Sequence, residues 1–244
     1  IIDLKVLKIK RRSKYILFFF TKNVVMIAHL GMTGKFFLVK KKVKEKTSFY
    51  YNLDDKKDLK HDHLVITFRN KTKLIYNDVR KFGFIKVTKL DKLKENEHLK
   101  TLGPEPLNDA FSLKYFQDYI KGRNKIIKDL LMDQKFVSGL GNIYVNEILF
   151  YSHIHPARKI SQLKENEIKR ILINSKKILQ KAINFGGSSI KNFSNSEGKI
   201  GTFQQYFTVY GKIGKNCSNS DCNGEIEKLI LSNRGSFFCP KCQK

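Results

Sequence analysis

Leu102-Gly103-Pro104-Glu105-Pro106-Leu107 divides the chain into two stretches of different hydrophobic period. That division constrains the fold more than any other feature. The paired prolines exclude helix and central strand and stiffen the connection. Before it lie short β-branched or aromatic runs: Tyr15–Phe20, Val24–Leu30, Phe36–Val39, His63–Phe68, Leu74–Tyr76 and Phe82–Val87. Polar turns separate them at even spacing, which predicts strands in a sandwich or barrel. Lys40–Lys60 reads as a charged loop. After the prolines the period becomes helical, over Leu113–Lys121, Ile126–Gln134 and Asn142–Ser152. A longer helix carries Ile168, Ile171, Leu172, Ser175, Ile178, Leu179, Ala182 and Ile183 on one face and ends at Gly186-Gly187. The fold class expected is α+β.

The stretch from Lys128 to Glu147 holds two of these helices around a glycine turn. Gly139 and Gly141 break the first helix, and Asn142 suits the N-cap of the second. Such a turn offers free backbone N–H groups to an anion. An ordinary helical hairpin explains the same residues. The chain has a formal net charge of +26 over 244 residues, which implies a polyanionic partner. Nucleic acid comes first and an anionic membrane face second. A compositional bias towards lysine is the plainer source of that charge. No apolar run reaches the length of a membrane-spanning helix. Ile1–Lys14 is cationic without a cleavage pattern, so no secretory signal is expected in it.

All four cysteines fall at the end of the chain, as Cys217-x4-Cys222 and Cys239-x2-Cys242. Two close pairs on the turns of a hairpin suit four thiolates around one structural, tetrahedral Zn²⁺. A cysteine-free remainder fits a reducing, cytoplasmic setting. Arg234 lies on the same hairpin, where it can reach a phosphate.

Three turns in the β half stand out: Arg11-Arg12-Ser13-Lys14, His29-Leu30-Gly31-Met32-Thr33-Gly34 and Asp78-Val79-Arg80-Lys81-Phe82-Gly83. On the residues alone, the usual reading of Met32 and Phe82 is burial in the core, and that of Lys14 and Arg80 is a solvated surface charge. Ser188–Gly211 is polar and punctuated by glycine, and reads either as a lid or as a connector.

Taken in order, these elements resemble the bacterial formamidopyrimidine-DNA glycosylase family (Fpg, also called MutM). The resemblance runs along nearly the whole chain. It rests on the three turns above, Lys60-His61-Asp62-His63, the double-proline segment, Gly139-Leu140-Gly141-Asn142-Ile143-Tyr144, Val209-Tyr210-Gly211 and the cysteine tail. It implies an N-terminal β-sandwich over 1–101, a linker over 102–110, a helix–two-turns–helix domain over 111–211 and a zinc hairpin over 212–244. A loop over 188–207 would cap the lesion, and double-stranded DNA would lie between the domains of a monomer. The implied activity is removal of oxidised purines, chiefly 8-oxoguanine and formamidopyrimidines. Strand cleavage at the abasic site follows by β,δ-elimination.

The resemblance also carries roles, residue by residue. Met32, Arg80 and Phe82 match side chains that enter the duplex. Lys14, His29, His61, Arg123, Lys128, Asn142 and Arg234 match contacts to the DNA backbone or lesion. Lys14 and Arg234 match proton donors of the eliminations. Cys217, Cys222, Cys239 and Cys242 match the zinc ligands.

The sequence departs from the family at several places. Val79 replaces a usual proline, Lys81 a usual arginine, and the first cysteine pair is wide. Family members open on Pro-Glu-Leu-Pro-Glu, whose proline amine is the nucleophile and whose glutamate is the acid. This chain opens Ile1-Ile2-Asp3. The expectation is that these residues, on their own, lack both groups. The alternatives are a damage-biased DNA-binding module without glycosylase activity and an endonuclease VIII-like pyrimidine glycosylase. A zinc-ribbon RNA-binding protein is more remote.

Overall fold

The computed structural model describes residues 1–39, 59–188 and 201–244. It divides into two compact units, Ile1–Asn96 with Ala182–Gln205, and Glu97–Lys181 with Tyr206–Lys244.

The first unit carries two antiparallel sheets. One has the order β1 (Val6–Arg12), β2 (Tyr15–Phe20), β3 (Val24–His29), β7 (Phe84–Lys89). The other has the order β4 (Lys35–Val39), β6 (Lys73–Asn77), β5 (Asp62–Thr67). Alternate residues point to opposite faces of a strand. Phe18, Phe20, Met26 and Ala28 from the first sheet therefore bury against Phe36, Ile66 and Leu74 from the second. The expected sandwich is formed by this contact. Each such fully buried large side chain contributes roughly 1.5–3 kcal/mol.

Two strand expectations need correction. β1 was missed because five of its seven residues are exposed and it lies at a sheet edge, so it has no alternating core face. β7 begins at Phe84, not Phe82, because Lys81 turns the chain with φ of 56°. The charged loop expected at 40–60 lies mostly outside the described residues, as do 189–200 of the expected capping loop.

The second unit contains α1 (Leu113–Ile120), α2 (Ile127–Met132), α3 (Asn142–Tyr151) and most of α4 (Glu165–Asn184). Ser112 caps α1 by accepting from the Tyr115 N–H. Asn142 does not cap α3: Gly141 holds that position, and Asn142 is the first helical residue. Its side chain is committed elsewhere, as described below. Ile171, Ile168, Ile178 and Ala182 bury one face of α4, but Ile183 lies 58% exposed, one step beyond that face. Gly186 and Gly187, both at positive φ, end the helix as expected.

The proline segment packs against the turn joining α2 and α3. Gly103 N–H donates to the Gln134 carbonyl, and Ser138 N–H to the Pro104 carbonyl. A Cβ at Gly103 would stand 2.4 Å from the Phe136 carbonyl oxygen, so only glycine fits. The terminal hairpin pairs β8 (Glu227–Leu231) with β9 (Arg234–Phe238). Its two-residue turn, Ser232-Asn233, has both φ values positive, the geometry that matches strand twist.

Candidate nucleic-acid interface

In the first unit, the Met32 turn between β3 and β4 meets the Arg80 turn between β6 and β7. Met32 is 66% exposed and Phe82 56% exposed, and Arg80 is exposed with them. The Arg80 guanidinium lies 4.4 Å from the centre of the Phe82 ring, and its Nη1 lies 3.2 Å from Met32 Sδ. The three side chains thus form one exposed cluster, neither scattered nor packed into the core. The turn backbones touch below them. A Cβ at Gly31 would stand 2.7 Å from Gly83 N and Phe82 C.

Asp78 lies under this cluster and is fully buried. Its carboxylate accepts from Thr33 Oγ1 at 2.5 Å, Gly83 N at 2.8 Å, Tyr76 Oη at 3.0 Å and Arg80 N at 3.3 Å. Burial would raise its pKa, but these bonds outweigh burial and hold it below the ordinary value. The same burial, with the bond to Asp78, pushes the Tyr76 hydroxyl upwards. The site residues read from the sequence did not include Asp78. An aspartate opening a turn after an apolar strand was the available signal.

The remaining candidates of this unit lie near the same strands. Lys14 is exposed on the β1–β2 turn, after Ser13 at φ 55°. His29 accepts from Gly31 N at Nδ1 and stacks on Phe84 at 5.7 Å. His61 is half-buried, and its carbonyl accepts from Asp78 N.

In the second unit the hairpin docks on α2 and α3 through side chains. Lys128 is 1% exposed, and its amine donates to the Gly235 carbonyl at 2.9 Å and to Ser236 Oγ at 2.5 Å. Asn142 Nδ2 donates to the same Gly235 carbonyl at 3.1 Å, and Asn146 Oδ1 accepts from Phe237 N at 2.6 Å. Burial lowers the Lys128 pKa to about 8; neighbouring Asp129 opposes this and Arg234 adds to it. Lys128 therefore supports the strand that carries Arg234, whose own side chain is exposed. Arg123 is exposed as well, bonded to the Tyr119 carbonyl and lying 4.3 Å over the Tyr119 ring.

Gln134 closes the α2–α3 turn. Its Nε2 donates to the Met132 and Leu140 carbonyls, and its Oε1 accepts from Gly139 N. Glu147, also buried, accepts from Thr208 N, Val209 N and Tyr210 N. Neither was singled out beforehand, because their partners, the Thr208 hydroxyl on Glu147 aside, are backbone groups that no side-chain pattern advertises.

Cys217, Cys222, Cys239 and Cys242 place their sulfurs within 4.8 Å of one another. The Cys217–Cys242 and Cys222–Cys239 sulfurs are 3.6 and 3.7 Å apart. That is too far for a disulfide, whose sulfurs lie about 2.05 Å apart. It matches the edge of a tetrahedron of thiolates about 2.3 Å from a common centre. The four residues can hold a metal ion. Phe150, Val209 and Ile226 pack around them.

Residues 1–85 match the formamidopyrimidine-DNA glycosylase N-terminal domain, and residues 102–194 match the formamidopyrimidine-DNA glycosylase H2TH domain. The formamidopyrimidine-DNA glycosylase of Listeria innocua is 40% identical over 237 residues, covering 97% of this chain and 81% of the relative. That of Rickettsia massiliae is 38% identical over 243 residues, with 100% and 81% covered. Among solved structures, a complex of Lactococcus lactis Fpg with DNA containing an abasic site superposes with a TM-score of 0.84 at 37% identity, over 99% of this chain and 83% of that one. A MutM complex with DNA containing carbocyclic 8-oxo-G gives 0.83 at 37% identity, over 99% and 82%. The chain belongs to the formamidopyrimidine-DNA glycosylase family.

Proposed function

We propose that this protein performs base-excision repair of oxidised purines in duplex DNA, as a glycosylase with abasic-site lyase activity. The observation that carries it is the exposed Met32–Arg80–Phe82 cluster on a chain of this family. A base inside a duplex cannot be attacked at its glycosidic carbon, so it must be extruded at a cost of a few kcal/mol. Met32 and Phe82 offset that cost by stacking in the void, as apolar wedges do in kinked DNA. Arg80 pairs with the orphaned base through its planar fork. Lys14, His29, His61, Arg123, Asn142 and Arg234 contact the DNA backbone or lesion, which fixes register without reading sequence. Lys14 and Arg234 are the candidate proton donors of the eliminations. Lys128 acts through the hairpin by holding Gly235 beside Arg234.

The ion of the four-thiolate site is zinc in this reading, because soft thiolates at tetrahedral spacing select it. It supplies structure by tying the hairpin ends. Among the described residues, no helix is long and apolar enough to cross a membrane.

The test uses protein expressed from its complete reading frame on duplexes carrying 8-oxoguanine or thymine glycol. Incision at 8-oxoguanine in preference to thymine glycol is expected; the reverse preference moves the assignment to the pyrimidine-directed sister class. Met32→Ala should leave binding to intact duplex nearly unchanged and lower the preference for a lesion duplex about tenfold, equivalent to about 1.4 kcal/mol of lost void filling. Equal losses on both duplexes sink the wedge assignment.

A further inference from the structure

The wedge side chains sit on two turns that are distant in sequence, and nothing in their exposed tips can hold the turns together. Met32 touches Arg80 through one weak sulfur contact, and Arg80 lies on Phe82. Such exposed contacts are too weak to fix two turns. The turns are joined underneath instead. Thr33 and Asp78 are 45 residues apart, and the Thr33 hydroxyl both donates to the Asp78 carboxylate and accepts from Arg80 N at 3.1 Å. The other carboxylate oxygen accepts from Gly83 N, which follows Phe82 directly. One buried anion therefore bonds the Met32 turn and both ends of the Arg80–Phe82 turn.

The direction of these bonds matters. Asp78 accepts the backbone N–H of Arg80, and the guanidinium stays with Met32 and Phe82. The buried negative charge fixes the backbone without neutralising the cation that faces outwards. The remaining bonds brace the aspartate itself: Tyr76 Oη donates to the carboxylate, His63 Nε2 lies 2.8 Å from the Asp78 carbonyl oxygen, and Asp78 N donates to the His61 carbonyl. Gly31 and Gly83 allow the close backbone approach that the bonds require. A Cβ at Gly83 would stand 2.5 Å from the His29 carbonyl oxygen.

We infer that Asp78, with Thr33, is the positioning group that makes Met32, Arg80 and Phe82 act as a single wedge. The inference rests on the assignment of those three side chains to the gap left by an extruded nucleotide. A wedge offsets unstacking only if its parts arrive together; turns free to move apart lose that gain to conformational entropy. Asp78 and Thr33 do not touch the DNA in this scheme. Their loss therefore removes lesion preference while leaving charge-driven binding in place.

The test measures dissociation constants of the zinc-loaded protein for a duplex with a tetrahydrofuran abasic analogue and for its intact counterpart, at one salt concentration. Thr33→Val keeps shape and removes the hydroxyl. It should lower the preference for the abasic duplex about tenfold, the scale of a lost bond to a charged acceptor. Thr33→Ser restores the hydroxyl and should restore most of the preference. Asp78→Asn puts an amide N–H₂ against two of the four donors and should lower the preference at least as far as Thr33→Val. Ile75→Val serves as a stability control, because it trims a buried side chain of the same strand, β6, and touches neither turn. It should lower thermal stability and leave the preference unchanged. Should Met32→Ala lower the preference while folded Thr33→Val keeps it, the inference fails and the wedge assignment stands. Should Thr33→Ser behave like Thr33→Val, or Ile75→Val lose preference in step with stability, the effect is general loosening and the inference fails. An unchanged preference in Met32→Ala removes the wedge assignment and this inference together. Asp78→Asn protein that does not fold leaves the decision to the Thr33 pair, which suffices.

Discussion

Asp78 and Lys128 are both buried charges, one in each compact unit, and their surroundings treat them oppositely. Asp78 accepts bonds from Thr33, Tyr76, Arg80 and Gly83, enough to outweigh desolvation, and its charged form is favoured. Lys128 has Gly235 and Ser236 as acceptors and Arg234 as a like-charged neighbour, so desolvation wins. Burial of a charge stabilises or destabilises here according to how many partners meet it. The first unit fixes its functional turns with a favoured anion. The second fixes its hairpin with a disfavoured cation, beside four thiolates that can hold a metal ion.

The sharpest way to break this contrast is removal of the metal. Structural zinc in small hairpins contributes on the order of 10 kcal/mol to folding. Chelation should therefore melt the hairpin, abolish the proposed contact of Arg234 with DNA and leave the Asp78 turns intact. Amide hydrogen exchange reads both regions in one experiment, at Phe237 for the hairpin and at Gly83 for the turns. Simultaneous loss of protection in both places would show that the turns also depend on the metal.

Lys128 gives the next largest effect. Its folded pKa, about 8, lies below the unfolded value of about 10.4, so the protonated form is penalised in the folded state. The unfolded chain binds more protons between these values, and stability therefore rises with pH across that interval. The rise should reach about 3 kcal/mol at most. It should vanish in Lys128→Met, as followed by urea titration at pH 7.5 and 10. A parallel pH trend in the variant would remove Lys128 as its source.

Asp78 should show the opposite sign on the acid side. Its folded pKa lies below the unfolded carboxylate value, so its stabilisation is complete above about pH 4. That stabilisation disappears as pH falls through the lower, folded value. Asp78→Asn should cost about 2 kcal/mol at pH 7, and the gap from the parent should close on acidification. A gap independent of pH would place the loss in packing instead of charge.

The smallest expected effect is at Arg234. Its exposed side chain leaves stability within about 0.5 kcal/mol on conversion to alanine. The dependence of DNA affinity on salt should nevertheless fall by about one phosphate's worth. An unchanged slope would mean that Arg234 meets no phosphate.

Much of this architecture was legible in the residues, for identifiable reasons. The strands carried alternating or continuous apolar runs, and the cysteine pairs stated their own geometry. The Met32 and Arg80 turns were visible as turns, because glycine bounds them. What joins them was not visible, since a bond between Thr33 and Asp78 spans 45 residues and leaves no local period. Edge strand β1 escaped for a related reason: its pattern is set by solvent and not by a core. Asn142, which suits a cap by residue type, is instead the first helical residue. Its amide is drawn to the Gly235 carbonyl, a partner that exists only after the hairpin docks.

The outward edge of β9 has a further consequence. Its Gly235 carbonyl and Phe237 N–H, which a terminal strand would normally leave open, are satisfied by Lys128, Asn142 and Asn146. Those helix side chains act as a cover that stops other chains from adding a strand. Once the ion is stripped and the hairpin lifts away, that edge becomes sticky. Preparations starved of the proposed zinc should then clump through strand pairing, which light scattering would detect.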